Sequence, residues 1–213
     1  MAVNSRLLAL LFAGLVCALA LGHQRLRPAP PVYRMPSPFL ADEQRPATQS
    51  EELYGRIAST IARRPVGVRC RDLEPGVKGE VVFPDGRHPE NFAMLTPDVC
   101  LELYDFRQGL RAWAVVCLEQ RGNGCGADAY WTVFALTALA HESIHLRGVR
   151  NESLTQCLAI GELHVVAEAL GSDPDQAAAL QRFAIEHEYA MMPSDYRSLD
   201  CSKVPSGTGE PGL

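Results

Sequence analysis

Ala140-His141-Glu142-Ser143-Ile144-His145-Leu146-Arg147-Gly148 is the stretch on which the reading of this chain turns. It closes an apolar run, 129–140, whose polar interruptions are Thr132 and Thr137. A helix that is apolar all round belongs in a core. At 12 residues this one is too short to cross a membrane, which takes about 20. Asp128 is the expected cap of this helix over 129–147, and Gly148 the left-handed residue that ends it. Within it, His141 and His145 are four apart, about 40° around the axis and one turn above the other. Both imidazoles can therefore reach one metal ion. Glu142 is offset to the side of the pair, better placed to hold a water than to ligate.

Two histidines do not complete a metal site, since a catalytic zinc takes three protein ligands and keeps one position open. The residues downstream decide the third. Asn151 caps the next helix, expected to run to about Leu170 and stop at Gly171. A short turn makes the two helices antiparallel neighbours, so the start of the second faces the end of the first. Glu152, in that first turn, then lies beside His145. Asn151 itself is a poor zinc ligand, and Glu162 and Glu168 lie farther along the same helix.

His141-Glu142-x-x-His145 matches the H-E-x-x-H arrangement of zinc-dependent hydrolases. Asn151-Glu152 with Gln156 resembles the Asn-Glu-x-x-x-Asp ligand segment of the gluzincin branch of zincin metallopeptidases. The spacing is similar to that of small bacterial secreted zinc metallopeptidases, whose glutamate soon follows the histidine pair. The resemblance covers about residues 137–159. It implies that His141, His145 and Glu152 hold Zn2+, that Glu142 is the catalytic base, and that position 156 orients His141. This chain departs from the pattern at Gln156, a neutral side chain in place of the acid, and at Arg147, where an apolar residue is usual. The Gln156 oxygen can still accept a hydrogen bond from His141 Nδ1, more weakly than a carboxylate. Tyr189, Tyr196 and His187 are downstream candidates for stabilising an oxyanion, with no spacing to choose between them. Metzincins place their third histidine where this chain has Asn151.

Working outward, the chain has 213 residues, 47% of them hydrophobic, and a formal charge of -5. That suits a single globular domain and gives no basic field for nucleic acid. Residues 1–22 read as a signal peptide or N-terminal anchor: Arg6, an apolar run, then Ala18-Leu19-Ala20 as a cleavage site. Residues 23–47 are a proline-rich linker. The domain spans 48–201, and 202–213 form a Gly/Pro/Ser-rich tail expected to be disordered. Loss of the leader removes Cys17 and leaves six cysteines, which in an exported chain suggests three disulfides. Cys117 and Cys125, flanking a turn, are the best local pair, and Cys157 is expected to be bridged rather than a thiolate ligand.

The remaining elements precede or follow the paired helices. Thr48-Gln49-Ser50-Glu51 is a capping box ahead of Leu53, Ile57 and Ile61, closed by Arg63-Arg64-Pro65. Short strands are expected at 66–70, 80–83 and 92–95, and any substrate-aligning edge strand must come from there. Thr96-Pro97 starts a helix to about Phe106, and 111–119 leans to helix. Ser172-Asp173-Pro174 starts another, running to about Met191, in which Glu186-His187-Glu188-Tyr189 reads as a solvated face. His164 and His88 read as structural or surface residues.

The resulting fold expectation is α+β, mainly α: a zincin-like active-site helix and antiparallel ligand helix, with a small β region before them. The functional expectation is a secreted or membrane-anchored zinc-dependent peptidase. Metal-activated water would attack a protein or peptide substrate with Glu142 taking the proton, and a membrane would be met only through the N-terminal segment. The reading from another class is a disulfide-stapled, non-catalytic secreted binding protein with a structural or relict metal site.

Overall fold

A computed structural model describes residues 45–121, 124–197 and 201. The leader, the linker up to residue 44 and the tail from 202 lie outside the described residues. Helix α1 (Gln49–Ala62) begins with the expected capping box, Glu51 N–H on Thr48 Oγ1 and Thr48 N–H on the Glu51 carboxylate. Glu51 does more than cap. Although burial raises its pKa, the Arg45 guanidinium and the N–H groups of Cys70 and Thr48 outweigh that and hold it at about 2. α1 ends at Arg63, whose backbone is left-handed (φ 57°). Arg64 then donates to the Leu146 carbonyl (2.9 Å) and the Glu90 carbonyl (2.8 Å), tying this corner to the end of the motif helix.

Three strands follow: β1 (Gly67–Cys70), β2 (Gly79–Glu80) and β3 (Phe92–Leu95). Their order is β1-β3-β2, with β1 parallel and β2 antiparallel to β3. β2 is therefore an edge strand. It is shorter and earlier than the sequence suggests, because only Gly79 and Glu80 meet β3, opposite Leu95 and Met94. The chain then leaves the sheet, closing on itself through Glu90 N–H to the Val82 carbonyl (2.9 Å) around the Pro84-Asp85-Gly86 turn.

α2 (Pro97–Arg107) starts after Thr96 as expected, but Thr96 does not cap it. Its hydroxyl points to the Lys78 carbonyl instead (3.3 Å), joining the helix start to β2. The ambiguous stretch after it is helical, α3 (Ala112–Arg121). Glu102 of α2, buried, accepts two bonds from Arg111 and one from Thr132 of the motif helix, which pins α2, α3 and the motif helix together.

The motif helix is α4 (Gly126–Leu146), beginning two residues before the expected Asp128 cap. The Cys117–Cys125 disulfide fixes the chain at residue 125, so the helix starts directly after it. Asp128 instead lies in the first turn, where a negative charge suits the helix dipole. Leu136, Leu139, Ile144 and Leu146 are fully buried, each worth about 1.5–3 kcal/mol by transfer from water. They pack against α1, α2, α5 (Glu152–Ala169) and the sheet. α6 (Pro174–Phe183) begins with a second capping box, Asp173 with Gln176. The helix then widens to a π turn, Ala184–Glu188, before a last α turn, Tyr189–Met191, and a 3-10 turn, Ser194–Tyr196.

Two further disulfides, Cys70–Cys100 and Cys157–Cys201, complete the six-cysteine set. Three bridges fit an oxidising, extracytoplasmic environment. Among the described residues no helix is long and apolar enough to cross a membrane. The architecture is thus mainly helical with a small sheet, as an α+β reading requires.

Candidate metal centre

The turn between α4 and α5 builds the site. Gly148, at φ 104°, takes the left-handed conformation that a side chain would resist. Its N–H reaches the His145 carbonyl (2.8 Å), and the Val149 N–H reaches the Ile144 carbonyl (3.4 Å). This is the paired hydrogen bonding of a Schellman C-terminus. It turns the Val149 carbonyl back onto the helix, where it accepts from His145 Nδ1 (2.7 Å). Asn151 then caps α5, accepting from Leu154 N–H (2.9 Å) and Ser153 Oγ (2.8 Å). With its oxygen so used, Asn151 is a cap and not a ligand.

Glu152 follows at the first position of α5 and reaches across. Its Oε2 lies 3.1 Å from His141 Nε2 and 3.4 Å from His145 Nε2. One ligand atom from each of the three residues falls within 4.8 Å of the others. The hydrogen bonds on the far side of each ring fix what faces the centre. Gln156 Oε1 is 2.9 Å from His141 Nδ1, and a backbone carbonyl engages His145 Nδ1. With both Nδ1 atoms donating, each Nε2 presents a lone pair. Two lone pairs and a carboxylate then face one another, an arrangement that repels itself unless a cation or extra protons lie between them. The residues fit a metal ion. Where those extra protons sit on the two Nε2 atoms, hydrogen bonds from His141 and His145 hold Glu152 well below the usual carboxylate range. Burial lowers the His145 pKa, but Glu152, Glu142 and the Val149 carbonyl outweigh it and raise it overall.

Glu142 is buried between α4 and the sheet, and burial raises its pKa. Its Oε2 has no hydrogen-bond partner. It packs on the edge strand at Gly79, where a Cβ would come within 2.6 Å of Glu142 Cγ. Only a glycine lets the strand approach so closely. Beside these groups opens a cavity of about 290 Å³. Lys78 and Gly79 line it on the sheet side, together with His141, Glu142, Gln156 and Tyr196. The Tyr196 ring lies 5.7 Å from that of His141, and burial pushes its phenol up to about 12. Phe83, beyond β2, stands edge-on to His145 (6.3 Å) and carries the Arg150 guanidinium over its face.

Of the residues singled out by sequence, His141, Glu142, His145, Glu152 and Gln156 come together. Of the three oxyanion candidates, only Tyr196 lines this cavity. His187 packs on Phe183 (4.9 Å) and lies 3.9 Å from Glu186, while the Tyr189 hydroxyl faces Cys157. His164 Nδ1 bonds the Gly161 carbonyl and His88 bonds Asp85. Glu162 and Glu168 are outside the cluster. Two contributors escaped the sequence reading. Gly79 has no motif around it. Glu188 is fully buried and lines the cavity rather than facing solvent. Its signal was spacing: Ala177, Leu180, Ala184 and Glu188 fall on one helical stripe. Comparison of the chain with protein-family models, with curated proteins and with solved structures finds no match.

Proposed function

We propose that this chain is a zinc-dependent peptidase, secreted or anchored by its N-terminal segment, acting on protein or peptide substrates. One observation carries the reading: His141 and His145, each held through Nδ1, turn their Nε2 atoms onto the Glu152 carboxylate beside an unpartnered Glu142. Zinc bound by His141, His145 and Glu152 would supply Lewis-acid polarisation and an activated water.

The chain's own groups have separable tasks. Glu142 takes up the proton of the attacking water on its free carboxylate oxygen and gives it to the departing amine. Its burial raises its proton affinity, which suits a base working near neutral pH. Tyr196, kept protonated by its surroundings, donates to the oxygen of the substrate carbonyl as negative charge grows there. Gln156 and the Val149 carbonyl hold the imidazoles in one tautomer. The β2 edge, next to Glu142, can pair with an extended substrate backbone.

Zinc content and proteolysis, measured on the purified oxidised chain, test the reading. The parent is expected to hold one zinc per chain and cleave a denatured protein. Glu152→Ala is expected to lose the metal. Glu142→Gln is expected to keep it and lose about 10²–10⁴-fold in turnover. A Glu152→Ala protein that binds zinc as tightly as the parent overturns the ligand set. A Glu142→Gln protein with parental activity overturns the mechanism.

A further inference from the structure

The cavity beside Glu142 has a feature that the hydrolytic scheme does not use. Glu188, from the last position of the π turn, lines it with its carboxyl completely buried. One oxygen, Oε2, is 2.9 Å from Thr137 Oγ1. The other, Oε1, has no partner. Thr137 Oγ1 is also 2.9 Å from the Val133 carbonyl. The one hydroxyl proton is shared between the Val133 carbonyl and Glu188 Oε2, so Thr137 satisfies neither acceptor fully. Burial pushes the carboxyl's pKa up to about 8, against the Thr137 hydrogen bond, which lowers it.

A buried carboxyl with an orphan acceptor costs stability. Among the described residues no ion pair to Glu188 is formed. The lysine on the cavity wall, Lys78, is engaged by Asp98 and lies over the Trp131 ring. Three buried polar atoms without partners, on Glu142, Gln156 and Glu188, belong to residues lining this one cavity. The rest of its wall includes Phe134, Ala138 and Met192. Its volume is about 290 Å³, at the lower end of the roughly 300–1,000 Å³ of small-molecule pockets. That is room for one long side chain: an apolar stem along the walls and a polar end at the carboxyl.

We propose that this cavity is the subsite for a cationic substrate side chain, lysine- or arginine-like, with Glu188 as the residue that selects it. The inference rests on the peptidase reading for its substrate, but the subsite can be tested without catalysis. An ammonium or guanidinium at Glu188 supplies N–H donors to Oε1 and lets the carboxyl ionise against a partner charge. A neutral side chain of the same length offers hydrogen bonds without that charge pairing. The π turn, a geometry frequent at functional sites, is where the chain departs from a regular helix to carry this residue.

The binding arm titrates the purified oxidised chain with n-butylguanidinium and with its neutral analogue n-butylurea, followed by calorimetry. The guanidinium is expected to bind at least tenfold more tightly. Glu188→Gln, which keeps the shape of the side chain, is expected to erase the difference. Equal binding of the two probes, no binding of the guanidinium, or discrimination surviving in Glu188→Gln overturns the proposal. If that variant fails to fold, the contrast between the probes on the parent chain still decides. The cleavage arm maps cuts in a denatured protein by mass spectrometry. Cuts beside lysine and arginine that disappear in Glu188→Gln support the subsite, and cuts without basic preference overturn it. Charge-selective binding with no cleavage would keep the subsite and reject the peptidase.

Discussion

Replacing Glu188 by glutamine should change how stability depends on pH, by an amount that follows from the carboxyl's burial. Its ordinary pKa of 4.5 rises to about 8 in the fold. Between those values the unfolded chain has released the proton and the folded chain has kept it. The folded state therefore binds more protons, and stability falls as pH rises through this window. Each pKa unit is worth about 1.36 kcal/mol, so the whole interval corresponds to about 5 kcal/mol. Below pH 4.5 the penalty is absent; above pH 8 it is fully present. Glutamine does not titrate, so Glu188→Gln removes this contribution, and every other titratable residue is common to both proteins. Tyr130, the other titratable group that senses Glu188, is also common to both. Urea denaturation of the two metal-free, oxidised proteins from pH 5 to 8 is the assay. The variant is expected to gain about 4 kcal/mol on the parent across that range, roughly a 2 M difference in midpoint at an m value of about 2 kcal/mol/M. A constant offset between the two curves would show that Glu188 ionises freely and would refute the reasoning.

Further outcomes concern the site. Tyr196→Phe removes the phenol while leaving the ring against His141, and is expected to lower turnover about 10²-fold or more with zinc content unchanged, read by steady-state kinetics beside metal analysis. Parental turnover would remove Tyr196 from the mechanism. Gly79→Ala forces a methyl group into Glu142; about 1–3 kcal/mol of stability is expected to be lost in chemical denaturation, together with activity but not metal. An unperturbed variant would mean that the edge strand does not rest on Glu142.

The parts of the site that were legible in the sequence lie close together along the chain. His141, His145, Gly148, Asn151, Glu152 and Gln156 occupy two helix ends and one turn, where spacing and capping rules set geometry directly. The Cys117–Cys125 bridge was legible for the same reason. Limits appeared where distant segments meet. A two-residue edge strand is too short for an alternating pattern, so nothing marked Gly79 as the residue beneath Glu142. Thr96 has a capping residue's identity but is drawn to the Lys78 carbonyl by the sheet. Glu188 sits on the apolar stripe of its helix, yet its charge and its polar neighbours suggested solvent. Residue type outweighed spacing there, and the buried cavity was what the sequence could not display. Tyr196 was one of three equal candidates until the chain reversal after Pro193 set it beside His141.

The Cys157–Cys201 bridge makes one side of the cleft depend on oxidation. It joins residues 44 apart, the longest span of the three, and its far end follows the turn that bears Tyr196. The turn that sets the histidine pair and Glu152 contains no cysteine and is held by hydrogen bonds. The segment bearing Tyr196 is tied back to α5 by this covalent bridge, in addition to the Thr137–Glu188 contact with α4. Reduction of this bridge would release the Tyr196 end of the cleft while leaving the hydrogen-bonded turn in place.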